Sequence, residues 1–289
     1  MENSRQPPEN QIEWNFDAGR PMSTYQPKTL YPLGIDIPSY PSIPGYLASN
    51  NLSVALNQKI RMIQGKLRQT AILQAKIISN PQAIDHPPVF NIGHVAEGRQ
   101  SDIAVTPSLI YEYSFEVEGM VYLMRRVIDS LVQISSIIIG WERFKKTQKI
   151  EIDSIGRLLH GIHKDNLSNH LKQLSSIICG DGVTYKIDGS GKLHQTKKEI
   201  TCTITQDAFL IVINELFNSF KHSLMHDESL SPQLTSHPTA RSYQAEHNNH
   251  RATIIVHNHN IFHLVMGFQD AVLRIFDNQK TFMADKKFS

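Results

Sequence analysis

From Ser49 onward, apolar residues recur at helical spacing. Leu52, Leu56, Ile60, Ile63 and Leu67 fall at intervals of four and three, forming one stripe of an amphipathic helix. The spacing predicts a helix from Asn51 to about Ser79, stopped before Pro81. Residues 80–107, with Pro81, Pro87, Pro88 and Pro107 and no clear period, read as a loop. The strongest helical signal runs from Pro107 to Gly140. There Phe115, Leu123, Val127, Leu131, Ile134 and Ile138 are read as one face, widened by Met120, Met124 and Ile128. A helix this apolar is expected at the centre of the fold, leaving Glu116, Glu118, Arg125, Arg126 and Asp129 to a remaining face or a cavity.

Two shorter helices are predicted over Glu151–His163 and Asn166–Ile178, the second ended by Gly180. The period then changes from 3.6 to 2. Val183, Tyr185 and Ile187 alternate with polar residues, Asp188-Gly189-Ser190-Gly191 supplies a turn, and Ile200, Cys202 and Ile204 alternate again. This reads as a β-hairpin or small meander inserted near 183–204. Thr205-Gln206-Asp207 is expected to cap a helix from about Gln206 to His226. Asp227–Asn249 reads as an exposed loop, Ala252–Val256 as a strand, and Asn258 as the cap of a last helix to about Phe276, with Phe262, Val265, Val272 and Phe276 facing inward.

Residues 1–47 stand apart, holding eight of the 14 prolines together with Trp14, Phe16, Tyr25, Tyr31, Tyr40 and Tyr46. Proline has no N–H for a helix or an internal strand, so this arm should be extended or irregular. Its aromatic residues imply that it lies over the helical body or docks on a protein partner or second subunit. The expectation is a mainly α fold: a helical bundle over 48–289 with a small β insertion, preceded by an extended arm over 1–47.

Composition narrows the function little. The formal net charge is +2, too balanced to announce a nucleic-acid binder. Two cysteines, Cys179 and Cys202, form neither a disulfide framework nor a metal-type pair, which fits a reducing, cytoplasmic setting. No stretch reaches the roughly 18 apolar residues of a membrane span, and the N-terminus lacks a signal-peptide pattern. His222 with His226, and His259 with His263, have the i,i+4 spacing of paired metal ligands, and His247 and His250 lie close together. No third ligand at fixed spacing supports them, so neither a metal nor another cofactor is expected. Gly189-x-Gly191 lacks the strand-to-helix context of a phosphate loop.

Candidate chemistry lies on the helix beginning near Phe209. At about 100° per residue, Ile213, Leu216, Phe217, Phe220 and Leu224 share one side. Asn214, Glu215, Asn218, Lys221 and His222 share the other, with Asn218 and His222 stacked one turn apart. The run Phe217-Asn218-Ser219-Phe220-Lys221-His222 resembles the signature of the HEPN superfamily, in which an arginine and a polar residue precede a histidine. The resemblance covers about twenty residues. It places His222 at the family's catalytic histidine and Asn218 at its polar companion, with Phe217 where the arginine would stand.

The resemblance implies a small helical bundle, usually dimeric. Many such proteins are metal-independent endoribonucleases in toxin–antitoxin or phage-defence systems; others only bind or scaffold. RNA carries its own nucleophile, the 2′-hydroxyl, so cleavage needs proton transfer and phosphate stabilisation but no metal. Histidine can do the first and a lysine or arginine the second. Lys221 lies nearby on another angle of the wheel, and Arg157 belongs to a loose arginine-x5-histidine spacing with His163. The candidate site is therefore His222, Asn218, Lys221 and Arg157. Two expectations stay open: a homodimeric HEPN-like protein acting on RNA, and an inert HEPN-like scaffold that holds a partner through its arm.

Overall fold

In the computed structural model, the stripe that begins at Leu52 closes a helix of 31 residues, α1 (Ser49–Ser79), which packs along a second of equal length, α2 (Leu109–Ile139). At 1.5 Å per residue each is about 46 Å long. The structure describes residues 11–21, 23, 40–41, 49–79, 89–92, 103–106, 109–162, 168–180, 185–187, 193–195, 198–199, 203–204, 208–222, 237–244 and 254–286.

The other helices are α3 (Trp141–Thr147), α4 (Ile155–Ile162), α5 (Asn169–Cys179), α6 (Phe209–His222) and α7 (Ile261–Ala284). Helix α2 is the hub, in contact with each of the other six. Met120, Val121, Met124, Val127, Ile128, Leu131 and Val132 are all buried, on several sides of it, as expected for a central helix. Phe115 departs from the reading, being 72% exposed. In this half of α2 the inward residues are Tyr113, Val117, Met120 and Val121, and Phe115 lies two residues, about 200°, from Val117.

Local chemistry sets the helix ends. The Ser168 hydroxyl accepts the Leu171 amide at the start of α5, and Gly180, at φ 78°, ends it in a conformation that favours glycine. Helix α4 begins later than the predicted Glu151, because Glu151 bonds Arg143 at 2.8 Å and the Ile155 amide is held at 2.9 Å by Asp129. The predicted cap Asn258 is still in a strand; Asn260 caps α7 instead, its side-chain oxygen accepting the Phe262 amide at 2.9 Å. In α7, Val265, Val272 and Phe276 are buried and Phe262 packs against the core.

The β structure is more extensive than the alternation implied. A small meander is present near 183–204 as β4 (Tyr185–Ile187), β5 (Leu193–Gln195) and β6 (Lys198–Glu199), antiparallel in order, while Thr203–Ile204, from the second predicted alternation, pairs instead with Asn15 and Phe16. Residues 80–107, read as a loop, contain an antiparallel hairpin of β2 (Val89–Ile92) and β3 (Ile103–Thr106). The span 227–249, also read as a loop, contains β8 (Thr239–Gln244). This strand is polar in sequence but pairs antiparallel along β9 (Ile254–Asn260), and Ala240 and Ser242 are buried.

Strand β1 (Gln11–Phe16) comes from the proline-rich arm and is an interior strand. It runs parallel to β9 on one side and to β7 (Thr203–Ile204) on the other, in the order β7-β1-β9-β8. The six residues between Pro8 and Pro21 that form it contain no proline and alternate Ile12, Trp14 and Phe16 with polar residues. Trp14, Phe16 and Ala18 are buried, and Tyr40 donates to Gln279 at 2.7 Å. Among the described residues, no helix is long and apolar enough to cross a membrane.

Candidate functional site

Helix α6 enters the core with Phe209–Asn214 all buried, and only further along does it show half-buried and exposed positions. The helical wheel placed Asn214 on a polar face, yet it is 6% exposed. Packing against α2, α4, α7 and β8 covers α6 on more than one side, so the polar half of the wheel is buried at Asn214, half-buried at Glu215 and Asn218, and exposed at Lys221.

A buried polar cluster forms where α2, α4 and α6 meet. Arg125 and Asp129, one turn apart on α2, form an ion pair, and Arg125 is 6% exposed. Asp129 also accepts the Ile155 amide, placing a carboxylate at the start of α4 where helix amides lack partners. The Arg125 guanidinium lies 5.7 Å from the centre of the Phe217 ring, and the half-exposed Tyr122 ring is 6.0 Å from Phe217. Asn214 donates to the Glu215 carboxylate at 2.8 Å, which turns its oxygen toward α4.

A Cβ added at Gly156 would lie 3.2 Å from the Asn214 oxygen and 3.4 Å from Arg125 Nη2, so these helices approach closely because position 156 has no side chain. Among the described residues, the buried Asn214 oxygen and Arg125 Nε have no hydrogen-bond partner. Burial pulls the Arg125 pKa down against the opposing pull of Asp129 and Glu215. Burial likewise raises that of Asp129, opposed by Arg125 and the Ile155 amide.

The residues expected from sequence distribute around this cluster. Asn218, half-buried, lies one turn beyond Asn214 on α6; Lys221 is exposed near the helix end. His222 is the last residue of α6, and its side chain lies outside the described residues, as do His163 and His226. Arg157 is on the outer surface of α4 and pairs with Asp153 at 3.2 Å. Among the described residues, a cation that the fold brings to Phe217 is Arg125, which the sequence placed only among the charges of the central helix. Its signal was the i,i+4 spacing to Asp129 inside an otherwise apolar run.

The proposed histidine pair 259/263 is engaged elsewhere. His259 Nδ1 accepts the Phe16 amide and His263 Nδ1 the Ala18 amide, both at 3.0 Å. Among the described residues, no three His, Cys, Asp or Glu side chains are grouped to hold a metal ion; His247 and His250 lie outside them. No protein-family model matches the sequence, and neither a curated protein nor a solved structure matches it.

Proposed function

We propose that this chain is a HEPN-like protein that acts on RNA through the face shared by α2 and α6, as a metal-independent endoribonuclease of a bacterial toxin or phage-defence system. One observation carries the reading: the Arg125 guanidinium sits over the ring of Phe217, the position where the family signature has arginine, with Asn214 and Glu215 beside it. A neighbouring helix thus brings a cation to the motif. In this mechanism His222 moves the proton of the 2′-hydroxyl, Asn218 orients the histidine or the phosphate, and Lys221 and Arg125 offset the charge developing on phosphorus oxygens. Arg157 contributes from the α4 surface. Two chains would bring two such faces to a common cleft, in the cytoplasm.

The second reading, an inert scaffold that holds a partner through residues 1–47, is favoured by a different observation. Arg125 is already paired with Asp129 and is almost closed to solvent.

RNA cleavage in EDTA separates the two. The enzymatic reading expects products ending in 2′,3′-cyclic phosphates and loss of cleavage in His222→Ala at unchanged melting temperature. A wild-type chain that neither cleaves nor retains RNA leaves the scaffold.

A further inference from the structure

Strand β1 is fastened to the C-terminal part of the chain by side chains spaced along β9 and α7. His259 accepts the Phe16 amide, His263 accepts the Ala18 amide, and Asp270 pairs with Arg20 at 2.8 Å. Between the last two, Gly267 lets the Phe16 ring lie on the helix, since a Cβ there would come within 2.6 Å of the ring.

The His259 contact fixes the tautomers of two rings. Because Nδ1 accepts the Phe16 amide, the ring's own proton is on Nε2, which donates to His257 Nδ1 at 3.0 Å. His257 then carries its proton on Nε2, with the Trp14 ring edge-on at 5.4 Å. Both imidazoles are fully buried and both must be neutral. An imidazolium has two donors and no acceptor, so a proton on His259 sets two N–H groups against each other at Phe16, and a proton on His257 does the same at His259 Nε2.

We propose that β1 is an acid-released latch: proton uptake by the His257–His259 pair removes the acceptor that holds Phe16, and the strand leaves the sheet while the helical bundle stays folded. From β8, Ser242 is opposite His257 and Arg241 opposite Asn258. From α6, Ser219 is bonded to Ser242. From β1, Trp14 and the Phe16 amide face the pair, and from its own side each imidazole faces the other. Glu13 of β1 stands beside Val256 in the register, and on the rim Asp17 lies beside His263 and Asp270 is paired with Arg20. His263 differs in having Asp17 at 3.1 Å to receive a donated proton, so the switch belongs to the buried pair. Burial agrees in direction, lowering the pKa of both, with His257 pushed down to about 3.

Hydrogen exchange on the full chain between pH 8 and pH 4.5, corrected for the intrinsic rate, tests this. The protection of the Asn15 and Phe16 amides should fall by about tenfold or more per pH unit below about 6.5, while Met124 and Ile128 in α2 keep theirs. His259→Gln, which offers a neutral acceptor at every pH, should make the dependence shallower by about tenfold per pH unit, leaving the share of His257, and His263→Gln should leave it as in wild type. Protection of β1 that is flat with pH in the wild type, or that falls in step with α2, overturns the latch. If His259→Gln fails to fold, the comparison of β1 with α2 in the wild type still decides.

Discussion

The junction of α2, α4 and α6 and the sheet centred on β9 both bury polar side chains, but by opposite electrical means. In the first a full positive and a full negative charge are removed from water together, so each depends on the other. In the second two neutral rings are ordered by the direction of their hydrogen bonds, so the arrangement depends on no charge being present. Burial penalises Asp129 as a carboxylate, and acid relieves that penalty. Burial penalises His257 and His259 as imidazolium, and acid imposes it. One core therefore holds two clusters with opposite responses to protons.

The sharpest way to break the comparison is to leave one charge unpaired. Asp129→Ala strands the Arg125 guanidinium and uncaps α4, and should cost on the order of 3–5 kcal/mol in urea unfolding at pH 7. Asp129→Asn, which keeps an acceptor for the Ile155 amide, should cost less. Replacing both charges with Arg125→Met and Asp129→Leu should cost less than Asp129→Ala; an additive loss would mean that the pair has no coupling.

Next in size is the pH effect. The unfolded chain binds protons on His257 and His259 near 6.5, and the folded chain, with His257 near 3 and His259 also depressed, does not. The stability they permit is complete above about pH 6.5 and is lost as pH falls toward 3, by up to about 1.4 kcal/mol per pH unit for each ring. Unfolding monitored through Trp14 at pH 7 and pH 5 should show it, and a higher stability at pH 5 would reverse the assignment of the neutral forms.

Smaller again is Gly267→Ala. The added methyl meets the Phe16 and Phe209 rings at 2.6 and 2.8 Å, against a gain of about 1 kcal/mol in helix propensity. A net loss of about 1–2 kcal/mol is expected, with faster proteolysis at Arg20; a rise in melting temperature would show that the strand does not seat on α7. The smallest effect belongs to Arg157→Ala. Its ion pair with Asp153 is exposed, so stability should move by less than about 0.5 kcal/mol. Any change in RNA cleavage by this variant would then report function alone.

Sequence periodicity was a good guide where one element buries one stripe. Leu56, Ile60, Ile63 and Leu67 in α1 and Val265, Val272 and Phe276 in α7 all face the core as their spacing implies. It failed where burial is imposed by distant neighbours. Thr239–Gln244 is polar and becomes a strand because β9 offers its backbone, a partner that no local window contains. Asn214 and Arg125 are hidden because α4 presents a glycine at the crossing. The alternation of Ile12, Trp14 and Phe16 was legible as a strand but was masked by the prolines around it. On the candidate site, Asn218 and Lys221 are on α6 as the wheel placed them, whereas the position of Arg125 over Phe217 needed the tertiary crossing.

The interior position of β1 also has a consequence in time. Phe16 finds its acceptor on His259, 243 residues later in the chain. At 5–20 residues per second, a ribosome needs roughly 12–50 s to make that stretch. For most of that interval, until Thr203 is made, Trp14 and Phe16 stand with neither flanking strand yet synthesised, and their unpaired backbone is open to other chains. Folding from the N-terminus outward can complete the α1–α2 pair early, but the sheet closes last. The nascent chain is thus exposed to holding factors, or to mispairing, at the segment that later becomes one of its most enclosed.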